Sequence, residues 1–425
     1  MAEAPRIYFV IDCRSFYASV EAVDRGLDPM EVDLVVADAS RTEKTICLAV
    51  SPHLKARGVK NRCRLFDVPK DPNIVIAKPR MKRYIDICAG IYGIYLKYIA
   101  KEDIHVYSID EVFIDATTYL KLYKMRAKEF ALKLMNEIKD TYGIPTTAGI
   151  GTNLYLAKVA SGLMAKHDPH GVGWLDEERF IKCCSAIRPL RSFWMISEGI
   201  ESHLARLGIF DMEGIRKADE GMLYEEFGVN AELLIDHAYG RESCLMSDIK
   251  NYKSQNRGIS TNQILPSAYS KTAAENVLKE MVEAFCLELA GRGLVSSRMG
   301  VAVNFDTNWR NRNGIHYVVD IMGQGNLATL FMPLAVELYR KKVPADKGVR
   351  SIALSFADVR QEPPQTCSIF DDEDQITKEK NLRDSLLEIQ RRYGKNAVLR
   401  GNDFTSTATG RERNTMIGGH SGGDE

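Results

Sequence analysis

Val10-Ile11-Asp12-Cys13-Arg14-Ser15-Phe16-Tyr17-Ala18-Ser19-Val20-Glu21 is the stretch on which the reading of this chain turns. Arg6 to Ile11 is short, β-branched and aromatic, the pattern of a buried strand. Asp12 ends it, and Ser15 to Val23 can start a helix with Ser15 as its cap. A carboxylate at the end of a buried strand is costly unless a charged partner meets it, and a divalent cation is a natural partner. The helix that follows would turn amide N–H groups and the positive end of its dipole toward the same place, which suits a phosphate. Standing alone, the stretch reads better as a capped strand–helix turn with an exposed Asp.

A second stretch changes the balance. Tyr107-Ser108-Ile109-Asp110-Glu111-Val112-Phe113-Ile114-Asp115 sets adjacent carboxylates between short apolar strands. On a regular strand they face opposite sides, but a turn or bulge can bring both inward. If tertiary structure brings Asp12 to this turn, three hard oxygen donors converge, a set that selects Mg2+ or Mn2+. The leading use of such a cluster is a clamp of two metal ions on an in-line phosphoryl transfer. A third stretch, Thr147 to Lys166, contains Asn153-Leu154-Tyr155-Leu156-Ala157-Lys158-Val159-Ala160-Ser161. Here Lys158 follows a strand on a helix and could reach a triphosphate as a point charge.

Outward from these stretches, the pattern is strand, helix, strand–turn–strand, helix, strand, helix. It reads as a mixed sheet with helices on one face, an α+β domain. Further strands are expected at Leu34 to Ala37 and Thr45 to Val50, and helices at Lys82 to Ile99 and Arg126 to Tyr142. Helical sequence follows from Glu177 to Tyr239. Ser243 to Arg257 is polar and aperiodic, as a linker would be. A second α+β unit is expected from Gly258, with a helix over Lys271 to Leu289 and strands at Met299 to Phe305, Ile315 to Ile321 and Ser351 to Phe356. The tail carries a helix over Lys378 to Tyr393, then a Gly-, Ser- and Thr-rich end that reads as disordered.

The chain has 425 residues, too many for one ordinary core. No apolar run is long enough to cross a bilayer: Leu327 to Tyr339 is short and broken by Pro333 and Glu337. No charged segment leads into an apolar one at the start, so a secretory signal is not expected. Nine cysteines without CxxC spacing point to reduced thiols in a cytosol, not to a zinc site or disulfide frame. The net charge is zero, yet Lys250 to Gln361 holds 15 Lys plus Arg against 9 Asp plus Glu. A basic segment in a neutral chain fits one DNA-facing module attached to others.

Taken together, the runs Asp-x-x-x-Phe-Tyr-Ala-Ser-Val-Glu, Ser-Ile-Asp-Glu-Val-Phe-Ile-Asp and Gly-Ile-Gly-Thr-Asn with Leu-Ala-Lys-Val-Ala-Ser resemble the Y-family (UmuC-like) translesion DNA polymerases, bacterial type. The resemblance spans about residues 6 to 360. It implies a right-handed α+β polymerase: palm at 1–23 and 79–168, small fingers at 24–78, helical thumb at 169–240, linker at 241–257, a C-terminal α+β little finger at 258–361 and a tail at 362–425. It implies that Asp12, Asp110 and Glu111, with the backbone of Cys13, hold two Mg2+ ions, Mn2+ being the other ion that fits. Tyr17 falls at the steric-gate position, with Phe16 as its packing neighbour; Lys55 and Lys158 would contact the triphosphate. The little finger would follow the duplex with cations on its sheet: Arg298, Arg310, Arg312, Arg340, Lys341 and Arg350. Ser368-Ile369-Phe370 resembles the end of the peptide by which bacterial polymerases enter the sliding clamp, although Thr366 stands where the motif's Gln is expected.

The chain also departs from the family pattern. In Ser51-Pro52-His53-Leu54-Lys55-Ala56-Arg57-Gly58, Pro52 stands for a Tyr and Lys55 for an Arg that touch the triphosphate in relatives. In Trp194-Met195-Ile196-Ser197-Glu198-Gly199-Ile200, Met195 and Ser197 stand where the thumb hairpin carries glycines. The function expected is low-fidelity, template-directed DNA synthesis past damaged bases in SOS-type repair. Its substrates would be primer–template DNA and deoxynucleoside triphosphates, and it would act as a cytoplasmic monomer without a membrane. The rival readings are a non-catalytic, clamp-tethered DNA-binding paralogue and a nucleotide cyclase on a related palm.

Overall fold

The computed structural model describes residues 6–254, 258–306, 313–363 and 373–423. The chain divides into two compact units, residues 1–252 and 253–424.

The first unit is built on β1 (Tyr8–Cys13), which is buried along its length. After it come helix α1 (Phe16–Val23), strands β2 (Leu34–Val36) and β3 (Ala49–Val50), helix α2 (Pro52–Ala56), strand β4 (Val75–Ala77) and helix α3 (Met81–Leu96). Strands β5 (Ile104–Val106) and β6 (Glu111–Asp115), helices α4 (Thr117–Tyr123) and α5 (Ala127–Tyr142), strand β7 (Thr146–Gly151), helix α6 (Leu154–Val159) and strand β8 (Val172–Leu175) complete the series. The main sheet runs β5-β6-β1-β7-β8, antiparallel except for the parallel pair β7–β8.

Both faces of this sheet are covered, not one as the sequence pattern implied. Phe9 and Ile11 pack with Tyr84 and Ile87 of α3 and with Phe130, Leu134 and Ile138 of α5. On the other face Tyr8, Val10 and Phe113 pack with Leu154 and Ala157 of α6 and with Met246. Alternate residues of a strand point to opposite faces, so Asp12 and Glu111 belong to the face that α6 covers. The glycines of β7 explain why α6 can lie so close. A Cβ on Gly149 would meet the Ala157 carbonyl oxygen at 2.1 Å, and one on Gly151 the Ala157 amide nitrogen at 2.2 Å.

Residues 34–77 form a small subdomain in which β2 pairs antiparallel with β3 and parallel with β4. Pro52, unexpected against the family pattern, opens α2, where its missing N–H costs nothing; the Ser51 hydroxyl accepts the Leu54 amide. Five helices between Glu177 and Ala238 surround their own apolar core. Met195, at a position where the resemblance implies glycine, adopts the left-handed conformation at φ 71, and Ser197 caps the helix Glu198–Arg206 by accepting the Ile200 amide at 3.3 Å. The expected linker also needs correcting. Residues Met246–Asn251 form a helix, with Met246 in the core and the Lys250 ammonium donating to the Lys101 and Ile104 carbonyls. A single apolar anchor was too little periodicity for the sequence to reveal it.

In the second unit, β9 (Ile259–Tyr269), β10 (Leu294–Asn304), β11 (Gly314–Gly325) and β12 (Val349–Ala357) form a sheet ordered β11-β10-β12-β9. The helices Lys271–Gly291 and Ala328–Lys342 fill its core with Phe285 and Phe331. The second of these carries Pro333, which hid it from the sequence reading. The tail is not disordered past its helix Glu373–Tyr393. The Thr409 amide donates to buried Glu280 at 3.1 Å and the Arg413 guanidinium to Gln263 at 2.6 Å, which fastens the glycine-rich end. Among the described residues no helix is long and apolar enough to cross a membrane.

Candidate active site

The strand register brings two of the predicted acids face to face. Asp12 is the direct partner of Glu111 across β1–β6, so both side chains leave the same face of the sheet. The Cys13 amide donates to the Asp110 carbonyl oxygen at 2.9 Å, drawing the Asp110 turn over the end of β1. That turn is set by the Tyr107 and Ser108 amides, which both donate to the Glu111 carbonyl, and by the Ser108 hydroxyl, which donates to the Asp110 carboxylate at 2.6 Å. Residues far apart in the chain thus gather three carboxylates at adjoining strand ends.

Their electrostatics follow from crowding. Burial, then the neighbouring Glu111 and Asp110 carboxylates, push the Asp12 carboxyl up to about 7, against the opposing pull of Lys158 and Lys166. Burial also raises Glu111, and Lys158 works against it. The Lys158 ammonium donates to both Glu111 oxygens and lies 5.3 Å from the centre of the Tyr107 ring. Among the described residues no three His, Cys, Asp or Glu side chains are spaced to enclose an ion as they stand. The donor set nevertheless fits one: these are hard oxygens, and Asp12 and Glu111, both raised first by burial and then by neighbouring carboxylates, would be relieved by a divalent cation.

Cations line the approach. The Lys55 ammonium, carried by α2, donates to the Ser15 hydroxyl at 2.8 Å, and its own value is lowered by burial and by Lys166, against Asp12 and Asp110. Ser15 therefore does not cap α1 with its side chain. Its backbone is left-handed at φ 47 and its hydroxyl is turned to Lys55. Lys166, on the turn Ala165–His167, was missed by sequence reasoning, yet its charge acts on Asp12, Glu111 and Lys55 alike. Its only sequence signal was a place in the segment that also holds Lys158.

Tyr17 is half-buried and tilted against Tyr84 at 4.7 Å between ring centres, with buried Phe16 beside it at 5.8 Å. Tyr84 is fixed from behind, its hydroxyl donating to buried Glu21 at 2.7 Å while Arg80 holds the same carboxylate at 2.9 Å.

The expected DNA-facing cations separate into groups. Arg298 lies on the exposed face of β10 and is bridged to Asp320 of β11 at 2.7 Å; Arg350 is on β12. Arg340 and Lys341 are not on the sheet. They end the helix Ala328–Lys342, where Arg340 pairs with Glu275 at 2.7 Å. Arg310, Arg312, Ser368, Ile369 and Phe370 lie outside the described residues.

Comparison with known proteins agrees with this geometry. Residues 11–162 match the impB/mucB/samB family. The putative UV-damage repair protein UvrX of Bacillus subtilis (strain 168) is 29% identical over 422 residues, covering 96% of each chain. DNA polymerase IV 2 of the same organism is 27% identical over 419 residues, 98% of each. The DNA repair protein homolog YozK, also from B. subtilis, is 40% identical over 101 residues, which are 24% of this chain and 88% of that protein. Among solved structures, a chimera of the Y-family DNA polymerases Dbh and Dpo4 superposes with a TM-score of 0.66 at 19% identity, covering 84% of this chain and 99% of the chimera. That likeness carries the fold.

Proposed function

The chain belongs to the impB/mucB/samB family, the Y family of DNA polymerases, and on that premise we propose that it is a DNA-directed DNA polymerase that copies past damaged template bases. The observation that carries the reading is the meeting of Asp12, Asp110 and Glu111 at adjoining strand ends, inside the span that matches the family.

Asp12 and Asp110 would hold two Mg2+ ions, with Glu111 and the Cys13 carbonyl completing the donors; Mn2+ suits the same oxygens. When bound, such ions polarise the transferring phosphoryl group and stabilise its attacking and leaving oxygens. The protein's own residues do the rest. Lys55, Lys158 and Lys166 neutralise the triphosphate as point charges. Tyr17, backed by Tyr84 and Phe16, presents a ring on which a ribose 2′ hydroxyl would collide, so deoxyribose is preferred. The fingers, 24–78, are small and hold no long helix, which leaves the nascent pair loosely checked and favours bypass over accuracy. Arg298 and Arg350, with Arg310 and Arg312, would follow the duplex backbone, a contact that weakens with salt. Arg340 and Lys341 are better read as helix-end charges. Ser368-Ile369-Phe370 would reach a sliding clamp, and the chain would act as a cytoplasmic monomer in the damage response.

The test is extension of a primed template, intact or carrying an abasic site, with Mg2+. We expect insertion opposite the lesion. Purified protein that binds primer–template yet extends neither template would remove the polymerase reading and leave a non-catalytic DNA-binding paralogue.

A further inference from the structure

Lys158 occupies an unusual position for a residue that serves only a triphosphate. Its ammonium donates to both oxygens of Glu111, whose side chain is 7% exposed, while Lys158 itself is only 20% exposed. The contact is not loosely placed. Gly149 and Gly151 let α6 press directly onto β7, and the helix continues from Val159 into a π-helical turn, Ala160–Met164. The Tyr107 ring is also near the ammonium, its centre 5.3 Å away. A carboxylate held at both oxygens by a fixed cation keeps lone pairs but has much of its charge already met, so a metal ion that recruits Glu111 competes with Lys158 for it.

We propose that Lys158 is the resident counter-cation of Glu111, given up when a divalent ion arrives, so that this one side chain sets how tightly the site takes metal. The inference rests on the metal-binding reading above and deepens it. The released ammonium has a ready destination, because it stands beside the cluster where phosphates would lie. Nucleotide and metal therefore assist each other: the phosphates draw Lys158 away and the metal keeps Glu111. Free metal without nucleotide competes against Lys158 and binds less well.

The experiment is Mn2+ titration of the full chain without DNA or nucleotide, followed by the electron paramagnetic resonance of free Mn2+. It is run at pH 8, so that the acids ionise readily. Lys158→Met should bind Mn2+ at least about five-fold more tightly than the unaltered chain, since a competing charge has been removed from direct contact. Lys158→Gln, equally neutral, supplies the same reading if the Met variant does not fold. Lys158→Arg keeps a cation and should stay close to the unaltered affinity. Lys158→Met combined with Glu111→Gln should show no gain, which ties the effect to that pair. Equal or weaker Mn2+ binding by both neutral variants overturns the proposal. If Asp110→Asn binds Mn2+ as well as the unaltered chain does, the metal site itself has been misread and this inference falls with it. If Asp110→Asn loses binding while the neutral variants gain nothing, only the role of Lys158 is wrong.

Discussion

Asp12 concentrates the electrostatic cost of the site. Its carboxyl ordinarily ionises near 3.8, and in the folded chain burial and two neighbouring carboxylates push it to about 7. A raised acid binds its proton more tightly when folded than when unfolded. The cost of ionising it is absent well below pH 4, grows as pH rises toward 7 and is fully present above that. In chelator at pH 8, Asp12→Asn should therefore be more stable than the unaltered chain by about 2–4 kcal/mol, the gap closing toward pH 4. Denaturant unfolding across pH measures it; an Asn variant that is less stable at pH 8 would count against the crowding described. At Tyr17 the expectation is kinetic. Tyr17→Ala should admit ribonucleotides at least about 100-fold more readily, since steric exclusion is all that separates the two sugars there. Unchanged sugar selectivity in single-nucleotide insertion would end the steric-gate assignment.

Among the elements, α6 and β7 do most to position the chemistry. Thr146, Ala148 and Ile150 of β7 face the α5 side, and Gly149 and Gly151 face α6. Gly149→Ala would put a methyl group 2.1 Å from a carbonyl oxygen of α6, a contact that backbone can relieve only by moving. It should cost at least about 3 kcal/mol in denaturant unfolding; a variant of normal stability would show that α6 lies farther from the sheet. Met195→Gly has the opposite sign. Removing a Cβ from a left-handed backbone at φ 71 should stabilise the first unit by about 1 kcal/mol, measurable the same way. A loss of stability would mean that the Met195 side chain matters more than its backbone.

These elements also mark how far the sequence could be read. The strand carrying Asp12, the Asp110–Glu111 turn and the helices α3 and α5 were legible because each buries a regular apolar face. Strand β8 was not: Val172-Gly173-Trp174-Leu175 is short and carries a glycine, and the strand exists because β7 offers it a parallel edge. The close packing of α6 could not be read either, since glycine spacing in a strand acquires meaning only when a helix lies on it. Lys166 went unmarked because exposed lysines are common and only tertiary proximity gives this one a role.

At the scale of the molecule, a palm-type sheet gathers the acids, helices hold it from both sides, and a separate α+β unit carries the more basic stretch. That unit was half-legible. Its strands and first helix followed from periodicity, while Pro333 obscured the second helix and glycine-rich composition obscured the tail fastened at Glu280. Placing cations on the sheet of the second unit required strand register, which sequence does not provide. Hence Arg298 was read correctly as a sheet residue and Arg340 was not.

Asp12, Asp110 and Glu111 are proposed to act together on one phosphoryl transfer. Single-nucleotide primer extension with Mg2+ by Asp110→Asn, in a variant that still binds primer–template, tests it most directly. Incorporation should fall at least about 1,000-fold, as expected when a metal-binding carboxylate is lost; near-normal incorporation would contradict that joint role.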